Sequence, residues 1–143
     1  MSYLAKQVGD ILGKSSGYIA QVGQVIKPDN EAHGRGHRSL YSFRNIAEIA
    51  IYIVLNGFGV PRKQIAEHIE NLRSSRFRWL EEDGTDGWIG LGADWKWGAG
   101  PTPNHIIDTL WQSGPVKGII TINLSEIKNH IRTKLELPTR EDY

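Results

Sequence analysis

Apolar positions recur at helical spacing through the first half of the chain. Leu4, Val8, Ile11 and Leu12 fall at the i, i+4, i+7 and i+8 positions of one helical face, and Gly13 stands where such a helix would stop. Ser15 and Ser16 are capping residues for a second, shorter helix with Ile19 and Val22 on its apolar side and Gly23 behind it. Two short helices joined by Gly13-Lys14-Ser15 have helix-turn-helix spacing, which serves either for packing alone or for placing the second helix in a DNA major groove. Val25-Ile26-Lys27-Pro28 predicts a short extended piece, because Pro28 keeps Lys27 out of the helical region. Residues 29–36 are polar and glycine-containing and predict a loop, with Ser39-Leu40-Tyr41 as the returning strand of a two-stranded wing. Ser42 then caps the most strongly helical run, whose apolar face is Phe43, Ile46, Ile49, Ala50, Ile53 and Val54. Asn56-Gly57 is expected to end it, with Gly57 as a left-handed cap. Pro61 opens a fourth helix bearing Ile65, Ile69 and Leu72, with His68 expected on its surface.

The second half is patterned differently. Phe77 to Leu80 and Gly87 to Leu91 flank an acidic cluster and predict a β-hairpin turning at Asp83-Gly84. Residues 94–103 are rich in glycine and proline and predict a loop. Pro103 or Asn104 begins a helix through Ile106, Ile107, Leu110 and Trp111, and the β-branched run Val116 to Ile122 predicts a strand. Asn123 or Ser125 caps a last helix with Leu124, Ile127, Ile131 and Leu135 along one stripe, and Pro138 lies beyond its end. The fold class these elements predict is α+β. A mainly helical winged helix-turn-helix domain occupies residues 1–75, and a small α+β domain with a short antiparallel or mixed sheet occupies 76–143. The apolar stripe of the last helix is expected to pack on that sheet or to form a homodimer contact.

Charge sharpens this division. The 143 residues carry a formal net charge of +1. Residues 1–75 hold nine Lys/Arg against six Asp/Glu, whereas residues 76–143 hold eight against ten. All five tryptophans also lie in the second half. The composition, 39% hydrophobic and 23% charged, is that of a soluble globular protein. No apolar run approaches the ~20 residues that span a bilayer, and the amino terminus lacks a signal-peptide layout, so a cytoplasmic protein with no membrane association is expected. With no cysteine, disulfides, thiolate metal sites and a cysteine nucleophile are excluded.

The order helix, turn, helix, wing, helix, helix resembles the amino-terminal DNA-binding domain of the MerR-type transcriptional regulators. The matching pieces are Ala5…Val8-Gly9, Val25-Ile26-Lys27-Pro28, Arg38-Ser39-Leu40-Tyr41-Ser42, and Leu55-Asn56-Gly57-Phe58-Gly59-Val60 followed by Ile65. They cover about half the chain. The resemblance implies duplex DNA as partner, a homodimer on an inverted-repeat operator, and contacts with RNA polymerase and a small-molecule effector. Ser16-Gly17-Tyr18-Ile19-Ala20 stands where the family carries Thr-Leu-Arg and aromatics, so Tyr18 replaces an arginine and weight shifts to the wing. The family's long dimerising helix has no counterpart here: helical pattern fades near Ser74-Ser75.

On this reading Lys14, Ser15, Ser16, Tyr18 and Gln21 lie at the major groove, where Gln21 is suited to reading adenine bidentately. Arg35, His37, Arg38 and Tyr41 hold the flanking phosphates, helped by Arg44. Trp79, Trp88, Trp95, Trp97 and Trp111 are candidates for an aromatic effector pocket, although core and dimer packing explain them more simply. No cofactor and no metal are expected. His33 and His37 lack further ligands for zinc, and Glu81, Glu82, Asp83 and Asp86 lack the spacing of a calcium loop. His105 with Asp108, and Ser125 with His130, come without a nucleophile elbow or oxyanion motif, so no enzyme is expected. The alternative reading is a winged-helix module that binds a protein or small ligand and not DNA.

Overall fold

A computed structural model describes residues 2–30, 38–111 and 118–137. Among them are six α-helices and one three-stranded antiparallel sheet, an α+β fold. Helix α1 spans Ala5–Leu12 and ends at Gly13, whose φ of 70° is the left-handed conformation a glycine adopts without strain. Helix α2 spans Ser16–Val22, with the Ser15 hydroxyl accepting the Tyr18 N–H as its cap (3.1 Å). The turn between them is tight: a Cβ on Gly9 would sit 2.3 Å from the Lys14 carbonyl oxygen, so only glycine fits there.

Helix α3, Phe43–Gly57, is the axis of the molecule. It is buried almost all round, Ile46, Ile49, Ile51, Tyr52 and Leu55 included, because α2, α4 and α6 all pack on it. The face expected from periodicity was therefore too narrow, and Val54 proves exposed. Its end also differs from expectation: the helix runs through Gly57, and Gly59 takes the left-handed turn (φ 84°). Helix α4, Arg62–Arg73, buries Ile65, Ile69 and Leu72 as predicted. It also buries His68, which the sequence pattern had placed on the surface.

The sheet has strand order β2-β1-β3, with β1 at Trp88–Leu91, β2 at Trp97–Gly100 and β3 at Ile120–Asn123. Residues 94–103 were expected to be a loop; instead a 3-10 turn at Ala93–Trp95 brings β2 back along β1. Period-2 alternation gives the sheet two unlike faces. Ile89, Leu91 and Ile122 look toward the main core, where Trp97 meets His68 of α4 with ring centroids 5.9 Å apart. The other face is paved by Gly90, Gly98 and Gly100, and helix α5, Pro103–Trp111, lies directly on it. A Cβ on Gly90 would come within 2.8 Å of Ile106, and one on Gly100 within 2.3 Å of His105. Helix α6, Leu124–Lys134, starts at an Asn123 cap and packs back on α3 and β1. One hydrophobic cluster, from Tyr3 and Val8 to Leu124 and Ile131, runs across the 75/76 boundary.

The hairpin expected at Asp83-Gly84 does not form. Phe77 to Leu80 is not a strand, since Arg78 is left-handed (φ 53°) and breaks the extended backbone. Residues 75–85 instead make successive tight turns, closed by Thr85 N–H donating to the Phe77 carbonyl (2.9 Å). The carbonyls so exposed on the inside converge on one ammonium. Lys128 Nζ of α6, fully buried, donates to the carbonyls of Glu81 (3.2 Å), Thr85 (3.4 Å) and Gly84 (3.5 Å) and pairs with Asp86 (2.9 Å). Arg132 donates to the Glu82 carbonyl (2.6 Å) and lies over the Phe43 ring at 5.7 Å. The acidic loop thus encloses a cation, and that cation is a lysine.

Candidate nucleic-acid interface

Helix α2 turns a small, polar face outward. Ser16, Gly17, Ala20, Gln21 and Gln24 are exposed, while Ile19 and Val22 anchor the opposite side in the core. Gly17 and Ala20 project almost nothing, so another surface can approach this backbone closely. Beside α2 runs an open groove of about 780 Å³, bounded by the start of α1 on one side and by Lys27-Pro28 and Arg38 on the other. Its charged residues are Lys6, Lys27 and Arg38, all exposed, and no carboxylate lines it among the described residues. Lys14 adds a further exposed cation at the turn, held 5.0 Å over the Tyr18 ring.

The Lys27-Pro28 edge of the groove is held by a buried polar clasp. Asn45, fully buried at the first turn of α3, is its hub. Asn45 Oδ1 accepts the N–H groups of Asp29 (2.8 Å) and Ser42 (3.0 Å), while Nδ2 donates to Glu48 Oε1 (2.9 Å). Glu48, also fully buried, is paired with Arg73 of α4, which donates onward to the Lys27 carbonyl (3.1 Å). This hydrogen bonding to Glu48 raises the Arg73 pKa against the opposing effect of burial, and the Glu48, Asp29 and Glu70 charges add to it. Burial pushes the Asp29 carboxyl up, but hydrogen bonds from Ser42, Arg44 and Asn45 and the Arg44 charge outweigh it and hold it below the ordinary carboxylate range. The Lys27-Pro28-Asp29 segment is thereby held from both flanks. Among the described residues, isolated antiparallel bridges join Asn30 to Leu40 and Tyr3 to Tyr41.

Of the residues expected to meet DNA, Lys14, Ser16, Gln21 and Arg38 are exposed around α2 and its groove. Ser15 is exposed, with its hydroxyl engaged as the α2 cap. Tyr18 is half-buried, and burial first, then Tyr52, raises its phenol pKa, against a lowering by Arg62. Two of the expected residues are largely engaged within the fold. Tyr41 is 2% exposed, its backbone bridged to Tyr3 and its hydroxyl close to Gly23, so it lines the groove while offering little surface of its own. Arg44 is committed internally, paired with Asp29 and with Glu81 (3.3 Å). Arg35, His37 and His33 lie outside the described residues. Lys6 and Lys27 were missed by sequence reasoning, and the signal available was Lys6 on the polar side of α1 and Lys27 just before Pro28.

The five tryptophans do not converge. Trp79 is buried in the core against Gly87, Trp88 and Trp97 point to opposite faces of the sheet, Trp95 sits on the 3-10 turn, and Trp111 is exposed on α5. Among the described residues no helix is long and apolar enough to cross a membrane. His130 bonds the Ile11 carbonyl (3.1 Å), tying α6 to the end of α1. No family model matches this chain, and no curated protein matches it.

Proposed function

We propose that this protein binds double-stranded DNA through α2 and the cationic groove beside it, as a transcriptional regulator of the MerR-like winged helix-turn-helix kind. The observation that carries this is the groove: Lys6, Lys27 and Arg38 surround a channel that no carboxylate lines among the described residues, against a helix whose outer face is small and polar. A phosphate backbone seated there would meet three cations, while Ser16 and Gln21 face the base edges. Binding as a homodimer on an inverted repeat, contacts with RNA polymerase and a bound effector belong to the same proposal. The first of these is read from the sedimentation of the purified protein.

The test is duplex binding as a function of salt. Each of Lys6→Ala, Lys27→Ala and Arg38→Ala should weaken binding on every sequence and lower the log–log salt slope by about 0.9. Gln21→Ala should instead blur sequence preference and leave the slope alone. Absence of duplex affinity at low salt defeats the proposal. In that event a protein or small-ligand module is the better reading, and fluorescence titration of the tryptophans is the experiment to run.

A further inference from the structure

Arg44 joins two places far apart in the chain. On one side its guanidinium pairs with Asp29, which leads directly into the Asn30–Leu40 bridge and so to Arg38. On the other it donates to Glu81 Oε1 at 3.3 Å. The backbone carbonyl of that same Glu81 accepts from Lys128 Nζ, and the next carbonyl, Glu82, accepts from Arg132. Both cations are buried on α6. A continuous polar path therefore runs from α6, through the 81–86 loop and Arg44, to the residues that flank the cationic groove.

We infer that Arg44 is a positioning residue through which the carboxyl-terminal half holds Asp29 and the Asn30–Leu40 bridge, and with them Lys27 and Arg38, in their pose. The inference rests on the nucleic-acid reading for its consequence, though its mechanical part does not. Partly exposed ion pairs of this kind add little to global stability. Among the described residues the two ends of the segment they act on are joined to each other by Leu40 N–H to the Asn30 carbonyl (2.7 Å) and its longer reciprocal (3.3 Å). Local opening there is sensitive to contributions too small to register globally.

The experiment compares Glu81→Gln with Asp83→Asn. Both remove one negative charge, which by long-range electrostatics alone favours a polyanion. Glu81→Gln keeps the backbone carbonyl that Lys128 uses and removes only the charge facing Arg44. Asp83 pairs with Arg78 (2.5 Å), both well exposed and unconnected to Arg44, so it is the charge control. Amide exchange at Asn30 and Leu40 is followed in the free protein, together with duplex affinity at low salt and the denaturation midpoint. Glu81→Gln should accelerate exchange at Leu40 about threefold or more and weaken duplex binding by a similar factor despite its added charge, with the midpoint nearly unchanged. Asp83→Asn should leave exchange at the wild-type rate and binding equal or tighter. Wild-type exchange at Leu40 in Glu81→Gln overturns the link, and faster exchange with binding as tight as in Asp83→Asn overturns its consequence for DNA. A wild-type protein without duplex affinity removes the nucleic-acid reading, and the exchange rates then decide the link alone.

Discussion

The two halves of the chain carry nearly equal numbers of cations, but the two that are buried among the described residues both lie in the second. In the amino-terminal half Lys6, Lys14, Lys27 and Arg38 stand in water around α2, leaving their charge available to a partner. In the carboxyl-terminal half Lys128 and Arg132 are buried, their charge consumed by loop carbonyls and by Asp86. The contrast teaches that net charge per half, +3 against −2, understates the asymmetry a polyanion would encounter. A buried ammonium is desolvated and saturated, so it contributes to shape and not to long-range attraction. Arg73 and Arg44 stand between these extremes, since their charge is spent on the clasp at the Lys27-Pro28 edge of the groove.

The largest effect should separate Lys128 from Lys27. Lys128→Met strands Asp86 and three carbonyls in the interior and should cost about 3–5 kcal/mol in chemical denaturation. Lys27→Met, at an exposed position, should stay within about 0.5 kcal/mol of wild type. Equal tolerance of the two changes would erase the distinction between buried and displayed cations.

A second contrast lies between two paired glycines on the face of the sheet that α5 covers. Gly90→Ala forces a methyl group against Ile106 and Ile119, each under 3.0 Å, and should destabilise by about 1–3 kcal/mol through overpacking. Gly98→Ala, with 3.6 Å to Ile106, should cost clearly less, and denaturation midpoints of the two variants check the order.

The smallest effect is read by pH at the seam between the halves. His68 is buried between α4 and the sheet, and burial lowers its imidazole pKa against smaller upward pulls from the Trp95 backbone and Glu67. The Trp95 backbone lies near enough to exert that pull, yet among the described residues neither ring nitrogen completes a hydrogen bond of good geometry. With a folded pKa below the unfolded value of 6.5, the unfolded chain binds the extra proton first, so this contribution to stability is present above pH 6.5 and is lost as pH falls through the lower folded value. His68→Phe should remove up to one proton from the uptake on unfolding in that window. An unchanged pH slope would show that the imidazole does not feel the seam.

Helices were legible in the sequence because their signals are local. Ser15, Ser42 and Asn123 stand where caps are needed, and Gly13 where α1 must end. The α+β class followed from the same patterns, as did α5 and α6. The 76–86 turns, β2 and the clasp were not legible, because their stabilising partners are remote: Lys128 is 47 residues from Glu81, and Asn45 is 16 from Asp29. A trace of each was nonetheless present. Glu48 is a lone carboxylate inside an apolar helical run, and Lys128 lies on a helix that otherwise buries a leucine–isoleucine stripe.

Periodicity and capping chemistry thus dictated where helices begin and which residues could carry positive charge. Which of those charges face water was settled by folding. A lysine's sequence neighbours cannot say whether three distant carbonyls will close around it, since that depends on how α6 meets the 81–86 loop. The same holds for Tyr41 and Arg44, whose residue types suit a phosphate grip and whose tertiary surroundings largely engage them within the fold.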